Sequence, residues 1–246
     1  MKQFLTLFKI EAKLGLRCPD SLIFGIGMPL GVLFLISLVA GNQSATGMDY
    51  TFLQGAFASL LTVGICATAF MGIPLTLANY RDKKILKHFF VTPVKPSMIL
   101  LVQVVLGACI AIVSAGLVAL CSVLFFDYHM DGNLLLFLGS YMLVLLSMYS
   151  VGMIIASLCS SLKIANVVCT FVYFPMLFLS GATIPFEIFP KFLQNIAQVL
   201  PLTQGIRLLK GVSLGMYSDQ LLFSSIFLVV IALISCIISI RTFRWE

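Results

Sequence analysis

Asp127, His129 and Asp131 alternate along the stretch DYHMD, so three side chains with metal-capable donors fall within five residues. Imidazole nitrogen and carboxylate oxygen are both ordinary ligands for a divalent cation. A polar loop at an aqueous surface accounts for the same residues more simply, and two histidines in the whole chain leave a His-based centre little to build from. The seven cysteines (Cys18, Cys66, Cys109, Cys121, Cys159, Cys169, Cys236) lie in or beside apolar runs without paired spacing. They read as small packing hydrophobes, not as a disulfide framework or a metal set. There is no G-x-x-x-x-G-K-[ST] phosphate loop, and no H-E-x-x-H or CxxC. ATP hydrolysis of the P-loop kind is therefore excluded for this chain. An intramembrane hydrolase would need a paired acid and base within its apolar stretches, and no convincing pair is found. One acid, Glu187, stands in the proline-rich run FPMLFLSGATIPFEIFPKFLQNIAQVLP at 174–201. A gate or outer-lip residue and a carboxylate at headgroup level without a role are both open readings of it.

The elements that must position these residues are membrane elements. Of 246 residues, 61% are hydrophobic and 10% charged, and the mean hydropathy is +1.12. A soluble domain carries about a quarter charged residues. Charge-free stretches run over 21–48, 50–80, 96–126, 132–162, 164–186 and 220–240, each longer than the roughly 18–20 residues a spanning helix needs. A cleaved signal peptide is a poor reading of the start, because about twenty residues containing Glu11 and Asp20 precede the first apolar run.

The net charge of +6 does not imply nucleic acid, because the positive charges sort by side of the membrane. With the N-terminus in the cytoplasm, twelve of the fifteen Lys and Arg fall in cytoplasmic pieces, whereas the outer loops 41–51 and 127–133 hold none and carry Asp49, Asp127 and Asp131. This positive-inside pattern puts both termini inside. Five spans (about 21–41, 52–78, 98–126, 134–159 and 164–181) leave the chain outside at Gly181, and the last, 221–240, must end inside. The segment 182–220 then crosses an even number of times or not at all. From Pro190 to Leu200 a helix covers about 16 Å, roughly half the hydrocarbon thickness. A dip from the outer face satisfies both its apolarity and its length; an amphipathic hairpin on the outer leaflet is the other reading.

On the cytoplasmic side, KQFLTLFKIEAKLGLR is helical in pattern, with Lys2, Lys9, Lys13 and Arg17 within about 80° of one another. Such a helix lies in the interface with its basic stripe towards headgroups or a partner. The connection 79–97, NYRDKKILKHFFVTPVKPS, holds a third of all Lys and Arg. Residues 81–91 suit a short helix with Ile85, Leu86, Phe89 and Phe90 on an apolar edge, stopped by Pro93 and Pro96. Aromatics exposed among basic residues point to a partner or to the bilayer surface.

The basic start, the six spans, Y-R-D-K-K-I-L-K-x-x-x-x-T-P at 80–93, F-L-S-G-A-x-x-P-x-x-x-x-P at 178–190 and L-P-L-T at 200–203 together resemble type-2 ATP-binding-cassette transporter permeases, the membrane subunits of many bacterial exporters. The resemblance covers essentially the whole chain, 1–246, as a single transmembrane permease domain. It implies an all-α membrane protein with six transmembrane helices, an N-terminal interfacial helix (1–20), a coupling loop (79–97) and an extracellular re-entrant helical hairpin (182–220) between spans five and six. It implies an inner-membrane location, a second permease copy, identical or paralogous, and a separate ABC ATPase subunit that binds ATP with Mg; this chain binds no cofactor of its own. By matching position, Arg81, Lys83, Lys84, Lys87, Phe89, Phe90, Thr92 and Pro93 become the residues that seat in the ATPase, with Lys9, Lys13 and Arg17 of the first helix beside them. Ser160–Lys163 becomes a smaller second contact, and Phe178, Ser180, Gly181, Pro185, Glu187 and Pro190 become the outer gate. A passive channel filtered by the broken segment is the alternative, and it would conduct without nucleotide.

Overall fold

The computed structural model describes residues 2–17, 23–39, 50–85, 96–182 and 189–242. Every element among them is helical: α1 (Lys2–Arg17); α2 (Met28–Val39), preceded by a π-helical turn (Ile23–Gly27); α4 (Pro96–Phe126); α5 (Leu134–Leu158); α6 (Leu162–Leu179); α7 (Lys191–Gln198); α8 (Pro201–Ser213); and α9 (Asp219–Thr242). Between α2 and α4 runs α3 (Phe52–Asp82), which contains a π-helical segment at Thr68–Gly72. Helices α3, α4, α5, α6 and α9 are long and apolar enough to cross a membrane. The first span, expected over 21–41, is described as a shorter apolar helix, Gly25–Leu38, flanked by residues outside the description.

Local chemistry sets the helix starts. Thr51 and Gln54 form a reciprocal capping box at the head of α3, with Gln54 N donating to Thr51 Oγ1 (3.2 Å) and Thr51 N to Gln54 Oε1 (2.9 Å). Asn133 Oδ1 accepts from Leu135 N (2.9 Å) at α5, and Ser161 Oγ accepts from Ile164 N (3.4 Å) at α6. Pro175 lies within α6 and does not end it. A membrane helix tolerates this when neighbours take up the freed carbonyl.

Helix α3 is the core. Of its apolar window 83% is buried, against 22% for α4 and 17% for α9, so the outer helices offer the surface that meets lipid. Tyr149 of α5 is buried against α3, its hydroxyl 2.8 Å from Thr68 Oγ1. Thr68 also donates to the Gly64 and Ile65 carbonyls, 3.0 Å each. Because those local acceptors remain to Thr68, Tyr149→Phe is expected to lower stability by only about 0.6–1 kcal/mol. Thermal unfolding in detergent measures it.

The helices alternate in direction, which sorts the connections to two ends. At one end Phe57 stacks on Tyr128 (4.2 Å between centroids), Gln54 Nε2 donates to the His129 carbonyl (3.3 Å) and Gly132 N donates to the Ser213 carbonyl (3.1 Å). At the other end Tyr80 meets Glu11, Asp82 meets Leu162 and Ser157 meets Thr242 (3.0 Å). This grouping is the one the charge pattern anticipates: Asp127 and Asp131 fall at the first end, and α1, Lys83, Lys84, Lys163 and Arg241 at the second.

Candidate functional site

At the basic end, α1 buries Leu7 and Glu11, half-buries Phe4 and Phe8, and exposes Lys9 and Lys13. The outward face is not purely basic, because Leu5, Ile10 and Leu14 are exposed beside the lysines. The side chain of Arg17 lies outside the description. Glu11 is 5% exposed, and its Oε2 accepts from Tyr80 Oη (2.6 Å) and Gln103 Nε2 (2.8 Å). Sequence reading missed this buried acid. The available signal was its place on the stripe Phe4, Leu7, Phe8, Glu11, Gly15, whose spacing marks the inward face.

The last turn of α3 carries Arg81, expected among the residues that seat in a partner. Its side chain is half-buried, and its Nη1 donates to the carbonyls of Ala156 and, at 2.7 Å, Cys159. It thus satisfies carbonyls left open at the end of α5. Burial pushes the neighbouring Cys159 thiol up from its ordinary value, with the Arg81 guanidinium acting against it. Asp82 Oδ2 accepts from Leu162 N (2.9 Å). Lys83 and Lys84 are exposed, and Lys84 has a left-handed backbone (φ 55), so the short helix expected over 81–91 does not run on from Arg81. Residues 86–95, with Lys87, Phe89, Phe90, Thr92 and Pro93, lie outside the described residues. Because a β-carbon is strained at Lys84, Lys84→Gly is expected to raise stability by at most about 1 kcal/mol, read as a higher midpoint of thermal unfolding.

At the opposite end, Phe178 is exposed and stacks on Phe174 (6.3 Å). Ser180 is buried, and Gly181, at φ 86, accepts from Ser59 Oγ (3.3 Å) through its carbonyl. A positive φ there suits glycine. Pro185 and Glu187 lie outside the described residues. Pro190 precedes α7 as its N-cap. The chain breaks again after α7, and Pro201 opens α8 where its missing N–H costs nothing. Gln204, 3% exposed, holds this break: Nε2 donates to the Gln198 carbonyl (2.6 Å) and Oε1 accepts from Ser224 Oγ of α9 (2.8 Å). Gly205 packs against Val144, ten residues into α5 and so about 15 Å from its start. At its end α8 is back beside the 127–133 connection: the Ser213 carbonyl accepts from Gly132 N, and Tyr217 Oη accepts from Asn133 N (3.4 Å). The chain thus leaves Gly181, reaches well into the bundle and returns to the end it left. Lys210 lies there too, its Nζ 5.1 Å from the Tyr50 ring centroid.

A cavity of about 300 Å³ at this end is lined by Thr51, Leu53, Gln54, Phe126, Asp127, Tyr128 and His129. His129 Nδ1 lies 2.8 Å from the Asp127 main-chain carbonyl, not from a carboxylate. Among the described residues no three His, Cys, Asp or Glu side chains converge to hold a metal ion.

Two helical breaks, a basic end and an all-helical body set the geometry, and comparison with known proteins assigns it. Residues 2–214 match the family described as ABC-2 type transporter. The chain belongs to that family. As an ABC-2 protein it is similar to "Probable multidrug ABC transporter permease YbhR" of Escherichia coli (strain K12), with 25% identity over 191 residues, 77% of this chain and 51% of the relative. It is similar to "Inner membrane transport permease YhhJ" of the same strain, with 22% identity over 179 residues, 72% of this chain and 47% of the relative. Nodulation protein J of Rhizobium leguminosarum bv. trifolii is 28% identical over 194 residues, 78% of this chain and 70% of that protein. The ABC-2 chain thus spans about half the length of the two Escherichia coli permeases. It is a multi-pass membrane protein of a transporter family.

Proposed function

We propose that this ABC-2 chain is the permease subunit of an ATP-driven exporter in the inner membrane, with both termini cytoplasmic. Two copies form the translocation route, and separate ATPase subunits bind ATP with Mg and supply the energy. The observation that carries this reading is the basic end. Exposed Lys9, Lys13, Lys83, Lys84 and Lys163 share the end of the bundle from which the 83–95 connection leaves, in a chain that contains no phosphate-binding loop. Lys87, Phe89, Phe90, Thr92 and Pro93 are the proposed seat in the ATPase. Arg81 acts behind them, on α5.

The path of 181–217 supports a re-entrant outer segment. Its two ends share one end of the bundle, and Gly205 reaches about half a bilayer's depth. Irregular backbone at such depth persists only where protein packs it, and Gln204 meets that need at the 199–200 break. Phe178, Ser180, Gly181, Pro185, Glu187 and Pro190 are the proposed outer gate. Closure of ATPase subunits would tilt the spans between inward- and outward-open arrangements, a rigid-body switch.

Ion leak from lipid vesicles separates this reading from a passive pore. Vesicles holding the chain alone are expected to retain a potassium gradient with or without Mg-ATP. Conductance by the chain alone, in the absence of nucleotide and partner, would refute the ATP-driven reading.

A further inference from the structure

Tyr80, Arg81 and Asp82 are consecutive on the last turn of α3, so their side chains leave the axis about 100° apart. Each takes a different partner. Tyr80 Oη donates to Glu11 of α1, which Gln103 of α4 also holds. Arg81 spans the Ala156 and Cys159 carbonyls at the end of α5. Asp82 receives the Leu162 amide at the start of α6. The left-handed turn at Lys84 follows two residues later, so force that the 83–95 connection passes to α3 enters at this turn.

We infer that Tyr80-Arg81-Asp82, completed by Glu11, is the fixed joint through which that connection drives α1, α4, α5 and α6 together. The inference rests on the ATPase-coupled reading above. Hydrophobic packing alone would also hold α1 to α4, since Leu7, Phe4 and Phe8 already face the body. Packing resists separation but is non-directional, and it lets one helix slide or turn past another. A carboxylate fixed by two donors, with an arginine and an aspartate aimed at backbone groups on two further helices, resists sliding and rotation as well. Such a contiguous polar network is the kind of element that carries a displacement between sites. Glu11 and Asp82 act here purely as hydrogen-bond acceptors, so a carboxamide should serve in place of either carboxylate. They are positioning residues, acting through α1 and α6.

Hydrogen exchange of the permease–ATPase complex in lipid nanodiscs tests the joint, comparing nucleotide-free complex with complex trapped by Mg-ATP and vanadate. The readout is exchange at 128–133 and 213–217, the hydrogen-bonded connections at the far end of the bundle. In the unmodified complex, trapping is expected to change exchange there by at least about fivefold. Glu11→Ala and Asp82→Ala are expected to retain the ATPase and hydrolyse ATP, but to reduce that response to under about twofold. Glu11→Gln and Asp82→Asn, which keep an oxygen acceptor, are expected to restore it. Alanine variants that melt earlier yet respond as the unmodified chain does would show the contacts to be structural only and overturn the joint. If the alanine variants fail to fold, Tyr80→Phe decides, since it removes one hydrogen bond; a folded Tyr80→Phe complex with an undiminished response also overturns it. An unmodified chain that captures no ATPase overturns the coupled reading itself, whereas captured ATPase with unaffected variants overturns the joint alone.

Discussion

Gly152→Ala is expected to loosen the centre of the bundle and to cost at least about 3 kcal/mol, the upper part of the range for overpacking a tight core. A Cβ on Gly152 would lie 2.2 Å from the Ala69 carbonyl oxygen and 3.1 Å from its carbonyl carbon. Both are backbone atoms, so no side chain can swing aside to make room. Ala69 sits in the π-helical segment Thr68–Gly72 of α3, where the extra residue in the turn pushes backbone outward, and glycine on α5 lets that backbone approach. Small residues allow such contact between membrane helices, where dispersion and hydrogen bonds supply the cohesion. Parting α3 from α5 by even part of an ångström would also stretch the buried Thr68–Tyr149 hydrogen bond nearby. Gly139 on the same helix is the control. It is exposed, with nothing within 4 Å of a Cβ built there, so Gly139→Ala is expected to be neutral or to stabilise by up to about 1 kcal/mol through helix propensity. Thermal unfolding of both variants in the same detergent gives the comparison. Equal midpoints would mean that α3 and α5 do not approach as closely as described.

What the sequence shows of this fold follows the physics of burial in lipid. Hydropathy places five long helices within a few residues, because the requirement for about twenty apolar residues depends on composition and not on neighbours. Boundaries that depend on backbone detail were harder to read. Nothing in the composition of 52–82 signals a π-helical segment at 68–72, and the left-handed turn at Lys84 uses a residue with no preference for it. Pro175 looks like a helix breaker and sits inside α6. A short helix between Pro190 and Leu200 was legible from the bounding prolines, whereas the burial of α8 was not, since Thr203, Gln204, Arg207 and Lys210 make that stretch look wet. Gln204 and Glu11 are buried because distant elements supply their partners: Gln198 and Ser224 for one, Tyr80 and Gln103 for the other. A polar residue's partner is a tertiary fact. Arg81 teaches the same lesson, since it stands in a basic run with Lys83 and Lys84 but reaches back to α5.

The connection beyond Lys84 carries the second large effect. Phe89 and Phe90 stand among Lys84, Lys87 and His88, and in the proposed assembly both rings enter an apolar cleft of the ATPase. Burying one aromatic ring contributes about 1.5–3 kcal/mol. Placing an unpaired carboxylate in the same cleft adds a desolvation cost of several kcal/mol. The two substitutions together therefore remove far more than the roughly 1.4 kcal/mol that a tenfold change in affinity requires. Fold should be spared, because the described helices end at Asp82 and resume at Pro96, and the contacts that hold them together, as described above, are made without either phenylalanine. The measurement is the amount of cassette ATPase that co-purifies with the tagged chain from its native membrane, for the unmodified protein and for Phe89→Asp combined with Phe90→Asp. The account expects near-stoichiometric ATPase with the unmodified chain, and at least about a tenfold loss with a double variant of unchanged melting temperature. A correctly folded double variant that keeps its ATPase would contradict it, as would an unmodified chain that brings none.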